Sequence, residues 1–430
     1  MRGHVFYVAG RPRPRRKSAE KLETTAVRPT TKGATPQPAR GCPMPRCPIP
    51  ARLACASALA LCAAMPALAQ TSDAERIAAL EARVADLEAG AATERPALSF
   101  GSARTEVEFY GYIKVDAIYD FGAELGNTTF GLVGLTGDDG DAFFNATAQQ
   151  TRLGFKTTTP TGLGAFGSQL EIDFYGGEGA VGTEDPYEPR VRIAKVSLGG
   201  LQLGKDWTTF MPLASYPSSL DFQGVAGIPF ARQEQIRFTH GFGGDYVAEI
   251  ALEESNGDSD DPVFVAALAY DTDPLLLRVS GLAGTVDDGF GGSEDIYGVN
   301  LSTTARLWEG GTLDASYTFG EGIASYMVFV GDDVDAAGER TEQRAAYIGL
   351  TQAVGEKLTL RAMYGHRENE GNDPAVFSGF DKLTSVHLNA EYEVVEDVLV
   401  GVEYFHGTLD TFAGRSFDVD RVQASFTYNF

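Results

Sequence analysis

The last residues of the chain alternate strictly. Val422, Ala424, Phe426, Tyr428 and Phe430 fall on one face, and Arg421, Gln423, Ser425, Thr427 and Asn429 on the other. A period of two with one apolar face predicts a β-strand. The same pattern starts at Glu106–Asp120, where Val107, Phe109, Ile113, Val115, Ala117 and Tyr119 oppose Glu108, Tyr110, Tyr112, Lys114 and Asp116. It recurs near 143–157, 164–175, 189–199, 201–207, 232–240, 244–253, 262–270, 275–284, 294–307, 312–320, 342–354, 357–368, 383–395, 397–407 and 417–430, about sixteen strands in all.

The connections differ in length. Thr159–Gly162, Asp271–Pro274, Glu309–Gly311 and Val395–Glu396 are tight, whereas Gly176–Glu188, Ser255–Asp261, Gly322–Gln343 and Glu370–Lys382 are long. Tight turns at one end and long loops at the other predict an all-β fold, a 16-stranded antiparallel transmembrane β-barrel over residues 105–430. A soluble β-sandwich ending on a strand is the alternative, but soluble up-and-down barrels rarely reach this strand number. No helical run interrupts the series, which disfavours an α/β enzyme. A mean hydropathy of −0.13 argues against a helical membrane protein and is compatible with a barrel whose lumen is polar.

The first hundred residues read differently. Residues 1–43 are Arg- and Pro-rich without periodicity and read as disordered, an over-extended start before Met44. Arg46 and Arg52 then precede the apolar run Leu53–Met65, and Ala67-Leu68-Ala69 closes it, so 44–69 reads as a secretory signal peptide cleaved after Ala69. In 70–90, Ile77, Leu80, Val84 and Leu87 take the a and d positions of two heptads, which predicts a short coiled coil before a 91–104 linker. A lone amphipathic helix packed on its own domain would show the same spacing. All four cysteines precede residue 70, so the barrel region has no disulfide framework.

Charge excludes one partner class. Without residues 1–69 the chain keeps 57 acids and 23 bases, and nucleic acid is an improbable partner. Catalytic signals are missing too. Gly162-Leu163-Gly164-Ala165-Phe166-Gly167 matches G-x-G-x-x-G but joins two strands with no helix after it, so it reads as a turn. There is no nucleophile elbow, P-loop or zincin motif, and the histidines lack metal-ligand spacing. No enzyme activity, metal or cofactor is expected. The acidic stretches Gly137–Asp141, Asp258–Asp261, Asp287-Asp288 and Asp332–Asp335 read as solvated loops, with divalent cation binding beside surface lipid as the sharper alternative.

The placement of the scarce bases is informative. Arg152, Lys156, Arg190, Arg192, Lys195, Lys205, Arg232 and Arg237 are eight of the 23, within the second to sixth strands. Arg152 and Lys156 oppose apolar Leu153 and Phe155 and should face the lumen. Arg192 shares parity with Ala194, Val196 and Leu198, so it faces inward only if a β-bulge intervenes. Between Asp206 and Arg232 runs a segment too apolar for an exposed loop. Folding it into the barrel would narrow a pore beside this basic wall and bring in the acids Asp206 and Asp221. The bases could equally pair with lumen carboxylates such as Glu171 and Asp173.

A long constricting loop after the fifth strand resembles the general bacterial porins, and a closer likeness is to the DcaP-type porins. It rests on Gly111–Asp120, Thr151–Thr157, Arg192–Gly199 and Trp207–Phe210, together with the coiled coil before the barrel. The resemblance implies a trimeric outer-membrane channel for small anions, notably dicarboxylates, set in outer-membrane lipid and lipopolysaccharide. It carries a basic eyelet over to Arg152, Arg190, Arg192, Lys195 and Lys205. The final strand, with Phe426, Tyr428 and Phe430, resembles the recognition strand that barrel-assembly machinery reads. A structural tether with a plugged barrel and a periplasmic partner on its coiled coil is the second reading.

Overall fold

The structure, a computed structural model, describes residues 105–135, 141–176, 187–370 and 379–430. The expected signal peptide, coiled coil and linker lie outside these residues. Seventeen strand segments follow in chain order: β1 (Glu106–Gly122), β2 (Asp141–Thr147), β3 (Arg152–Thr161), β4 (Gly164–Asp173), β5 (Arg190–Leu198), β6 (Leu201–Trp207), β7 (Arg232–Phe242), β8 (Tyr246–Glu253) and β9 (Val263–Asp271). β10 (Leu275–Asp287), β11 (Ser293–Trp308), β12 (Gly311–Glu321), β13 (Glu342–Val354), β14 (Leu358–Glu370), β15 (Phe380–Val395), β16 (Val398–Thr411) and β17 (Ser416–Asn429) complete the series.

From β3 onward each segment pairs antiparallel with the next, β2 and β3 both pair with β1, and β1 pairs with β17, which closes the sheet into a barrel. The closing pair is in register from Tyr112↔Asn429 to Phe121↔Asp420. β2 and β3 together make one barrel strand, so the seventeen segments form sixteen. Both pair with β1, through Asp116↔Thr147 and Tyr112↔Arg152, so four residues (148–151) oppose three. The Thr151 hydroxyl stitches this bulge, accepting from the Lys114 amide at 3.2 Å and donating to its carbonyl at 3.3 Å.

Side chains alternate as the pattern predicts. On β17 and just after it, Val422, Phe426, Tyr428 and Phe430 are exposed outward while Arg421, Gln423 and Ser425 are buried. Exposed Leu360 and Tyr364 on β14 and Val400, Val402 and Tyr404 on β16 continue this apolar outer belt. No helix among the described residues is long and apolar enough to cross a membrane; the strands do so, with every backbone ladder closed.

What fills the barrel is chain. Three long-loop connections turn inward: 123–135 after β1, 208–231 after β6 and 322–341 after β12. Leu125, Phe130 and Leu132 of the first, Met211, Val225, Ile228 and Phe230 of the second, and Val328 and Phe329 of the third share one apolar cluster. Wall residues Tyr347, Met363, Leu383 and Phe405 join it. The second segment fits the expectation of an inward fold. The third differs from it: 322–341 is not an outer loop, and Asp333 and Asp335 are buried instead of solvated. Its apolar run Ile323–Phe329 is the physical reason, since exposing it would cost far more than burying two hydrogen-bonded carboxylates. Asp333 accepts the Ser325 amide at 2.8 Å, and Asp335 accepts those of Ala337 and Glu339 at 2.8 and 3.0 Å.

Candidate functional site: the inward segment and its charged wall

Arg152, Arg190 and Arg192 stack on β3 and β5 around two carboxylates of β4. Arg190 grips Asp173 in a fork, Nε at 2.9 Å and Nη2 at 2.6 Å. Arg192 donates from Nε to Glu171 at 2.6 Å and from Nη1 to Asp173 at 3.2 Å, and Arg152 Nε lies 3.6 Å from Glu171. The parity problem at Arg192 is resolved by a bulge. The β4–β5 register shifts between Glu171↔Ile193 and Ile172↔Val191, which turns both Arg190 and Arg192 inward. Aromatic faces cover the cations: Arg152 over Tyr112 (5.2 Å), Arg190 over Tyr175 and Phe222 (both 5.6 Å), and Arg192 and Arg232 over Trp207 (5.8 and 4.9 Å). Trp207 is the root of the second inward segment, so the basic stack and the segment share a boundary.

A second network runs round the wall from β5 to β10 as a ladder of alternating sign. Lys195 meets Asp206 at 2.8 Å, Asp206 meets Arg237 at 3.4 Å, Arg237 meets Glu249 at 3.6 Å, and Glu249 meets Arg278 at 3.2 Å. Its rungs clamp the root as well, since Arg237 donates to the Trp207 carbonyl and Arg278 to that of Thr209. Lys195, Arg237 and Glu249 keep partial exposure, about a fifth for Lys195 and Glu249, while Asp206 is buried.

The remaining sequence-predicted positions separate. Lys156 sits in an exposed pair with Glu108 at 4.0 Å. Lys205 shares the parity of Leu201 and Leu203, the outward face of β6, and pairs with Glu234 across the ladder at 3.7 Å. Asp221 lies deep within the second segment and is buried. Phe426, Tyr428 and Phe430 lie on the outer face of β17, and Ile77, Leu80, Val84 and Leu87 lie outside the described residues.

The far side of the barrel receives the segment in a cradle that the sequence reading did not single out. Glu403 accepts the Leu220 and Asp221 amides at 2.8 and 3.2 Å and is braced by His387 (3.0 Å) and Asn389 (2.9 Å). Lys114 and Gln423 donate to the Leu220 carbonyl at 2.8 and 3.1 Å. Arg421 bridges Asp221 (3.3 Å) and Asp120 (2.5 and 2.8 Å), and the Thr129 hydroxyl of the first inward segment donates to Asp221 at 2.8 Å. The only sequence signal for these groups is charge at inward parity, as at Lys114 and Asp116.

The model of one protein family, described as DcaP outer membrane protein, matches residues 82–340. The chain belongs to the DcaP outer membrane protein family. Among solved structures, the outer membrane channel DcaP of Acinetobacter baumannii superposes with a TM-score of 0.68 at 23% identity, over 76% of this chain and 97% of that one. The anion-selective porin from Comamonas acidovorans gives 0.54 at 15% identity, covering 76% and 100%. OmpT of Vibrio cholerae gives 0.51 at 15%, covering 78% and 100%. No curated protein sequence matches the chain. Family and fold together are those of a porin-like outer-membrane β-barrel, and they put this member of the family in the outer membrane.

Proposed function

We propose that the chain is a trimeric porin for passive diffusion of small hydrophilic solutes, anions such as dicarboxylates first, through a lumen narrowed by residues 208–231. The observation that carries this reading is the convergence of the Arg152, Arg190 and Arg192 guanidinium groups on Glu171 and Asp173, with Arg192 over Trp207, where the segment leaves the wall. A cationic cluster in a confined, low-dielectric passage lowers the entry barrier for carboxylates, while the segment sets the size limit. The Asp173 and Glu171 carboxylates hold the arginines extended. On the same reading residues 44–69 direct export, and the Ile77, Leu80, Val84 and Leu87 stripe helps join protomers on the periplasmic side. Phe426, Tyr428 and Phe430 present the last strand to the assembly machinery.

The test is the reversal potential of the purified mature protein in a planar bilayer under a potassium chloride gradient. Anion preference is expected, and Arg152→Ala with Arg192→Ala should lower the anion/cation permeability ratio several-fold. A cation-selective wild type would refute the anion assignment; unchanged selectivity in the double variant would remove these two residues from the mechanism.

The shared apolar cluster of three inward segments favours a second reading, a plugged barrel that tethers the envelope through its coiled coil. Deleting residues 70–90 separates the two. A channel keeps its conductance, and a tether loses its envelope phenotype.

A further inference from the structure

β10 to β13 lie side by side, and their register aligns Arg278 with Ser302, Ser302 with Ser316, and Ser316 with Tyr347. All four point inward. Two short hydroxyl side chains therefore stand between two long ones, which leaves a notch in the wall. The second inward segment roofs it. The Thr209 carbonyl accepts from Arg278, that of Phe210 from the Ser280 hydroxyl at 2.8 Å, that of Ala214 from Thr304 at 3.1 Å, and that of Ser215 from the Tyr347 hydroxyl at 3.0 Å.

The roof and walls leave polar atoms unused. Among the described residues, Arg278 Nη1, Ser302 Oγ, Ser215 Oγ and Asn300 Oδ1 are buried and make no hydrogen bond. The Arg278 side chain is only 9% exposed. Buried polar atoms are nearly always satisfied, and here four unsatisfied ones lie about one notch. It lies at the last rung of the Lys195–Arg278 ladder, beside the partly exposed Glu249.

We propose that this notch binds one carboxylate group of a small solute, held by Arg278 Nη1 and the Ser302 hydroxyl. The assignment deepens the anion-porin reading and rests on it for the solute class. Charge argues for a single carboxylate. Lys195, Arg237 and Arg278 face Asp206 and Glu249 along the ladder, and Asp314, bound by the Thr304 hydroxyl at 2.7 Å, lies one inward position away on β12. Glu253, which accepts the Thr209 amide at 2.7 Å, adds a fourth acid to these three bases, so the local charge limits the notch to one carboxylate, and recognition comes from directed hydrogen bonds to Arg278 Nη1 and the hydroxyl. A second carboxylate in the same notch would meet Asp314.

The experiment uses acetate as the probe and the mature protein in planar bilayers. Chloride conductance is recorded while acetate is added, and reversal potentials are measured on the same preparations. Saturable inhibition by acetate is expected, with the half-inhibiting concentration raised about tenfold in Arg278→Gln and restored in part by Arg278→Lys. Ser302→Val, which fills the notch and removes a hydroxyl, should weaken inhibition similarly, and it serves if Arg278→Gln fails to assemble. Equal inhibition in wild type and variants overturns the site, as does an anion-selective wild type that acetate does not inhibit, whose notch would then hold only water. A cation-selective wild type whose acetate inhibition is lost in Arg278→Gln would refute the anion-porin reading and retain the site.

Discussion

Arg421 of β17 and Asp221 of the second inward segment are 200 residues apart in sequence and 3.3 Å apart in space. Their contact ties the far reach of the segment to the strand that closes the barrel. Arg421 also holds Asp120 on β1, so one guanidinium couples barrel closure to the seating of the segment. Removing Asp221 would leave Arg421 paired with Asp120, so the loss falls on the seating of the segment and not on barrel closure.

Asp221→Ala should therefore loosen the segment without opening the barrel, since Arg421 keeps Asp120. Single-channel recordings are expected to show larger and noisier conductance than wild type. Glu403→Gln, which weakens the seat of the Leu220 and Asp221 amides, should act in the same direction and less strongly. Quiet, unchanged currents in both variants would show that the cradle does not govern the passage.

Gly227 marks a close approach of the segment to the wall. Its φ is +89°, and a Cβ there would meet the Ala346 carbonyl oxygen at 2.6 Å and that of His366 at 2.7 Å. Neither backbone can yield, because both belong to paired strands, β13 and β14. Gly227→Ala should lower stability by about 1–3 kcal/mol, from overpacking and left-handed strain. The midpoint of thermal unfolding in detergent reads this directly.

Asp333 in the third inward segment should make stability depend on pH. Burial pushes its carboxyl up to about 6 from an ordinary 3.8. The folded state thus favours the protonated acid. Below the ordinary value both states are neutral and the group costs nothing. As pH rises from about 4 to above 6 the unfolded chain ionises first, and stability falls by at most about 3 kcal/mol. Asp333→Asn should flatten this part of the profile while keeping an acceptor for the Ser325 amide. An identical decline of the melting temperature between pH 4 and pH 7 in variant and wild type would exclude Asp333 as its source.

Strand positions were legible because alternation is local. The parity of Val422 and Arg421 says which faces out, whatever strand lies beside them. The inward fold of 208–231 was legible from its apolar composition. The same signal was present in Ile323–Phe329, yet the flanking Asp332–Asp335 made that connection look like a solvated loop; the structure buries it because the apolar run outweighs two capped carboxylates. Arg192 marks another limit. A single bulge reverses parity, and nothing in Arg190–Leu198 alone announces it.

The sequence by itself determined the barrel, its strand number and its polar interior, since each follows from a period-two pattern and from loop lengths along the chain. Only the tertiary structure decided which charges meet. The pairings of Arg421 with Asp221, of Glu403 with the Leu220 amide and of Arg278 with the Thr209 carbonyl depend on where an irregular segment crosses a closed sheet. That path is set by packing between distant parts of the chain, and packing leaves no periodic trace in the sequence.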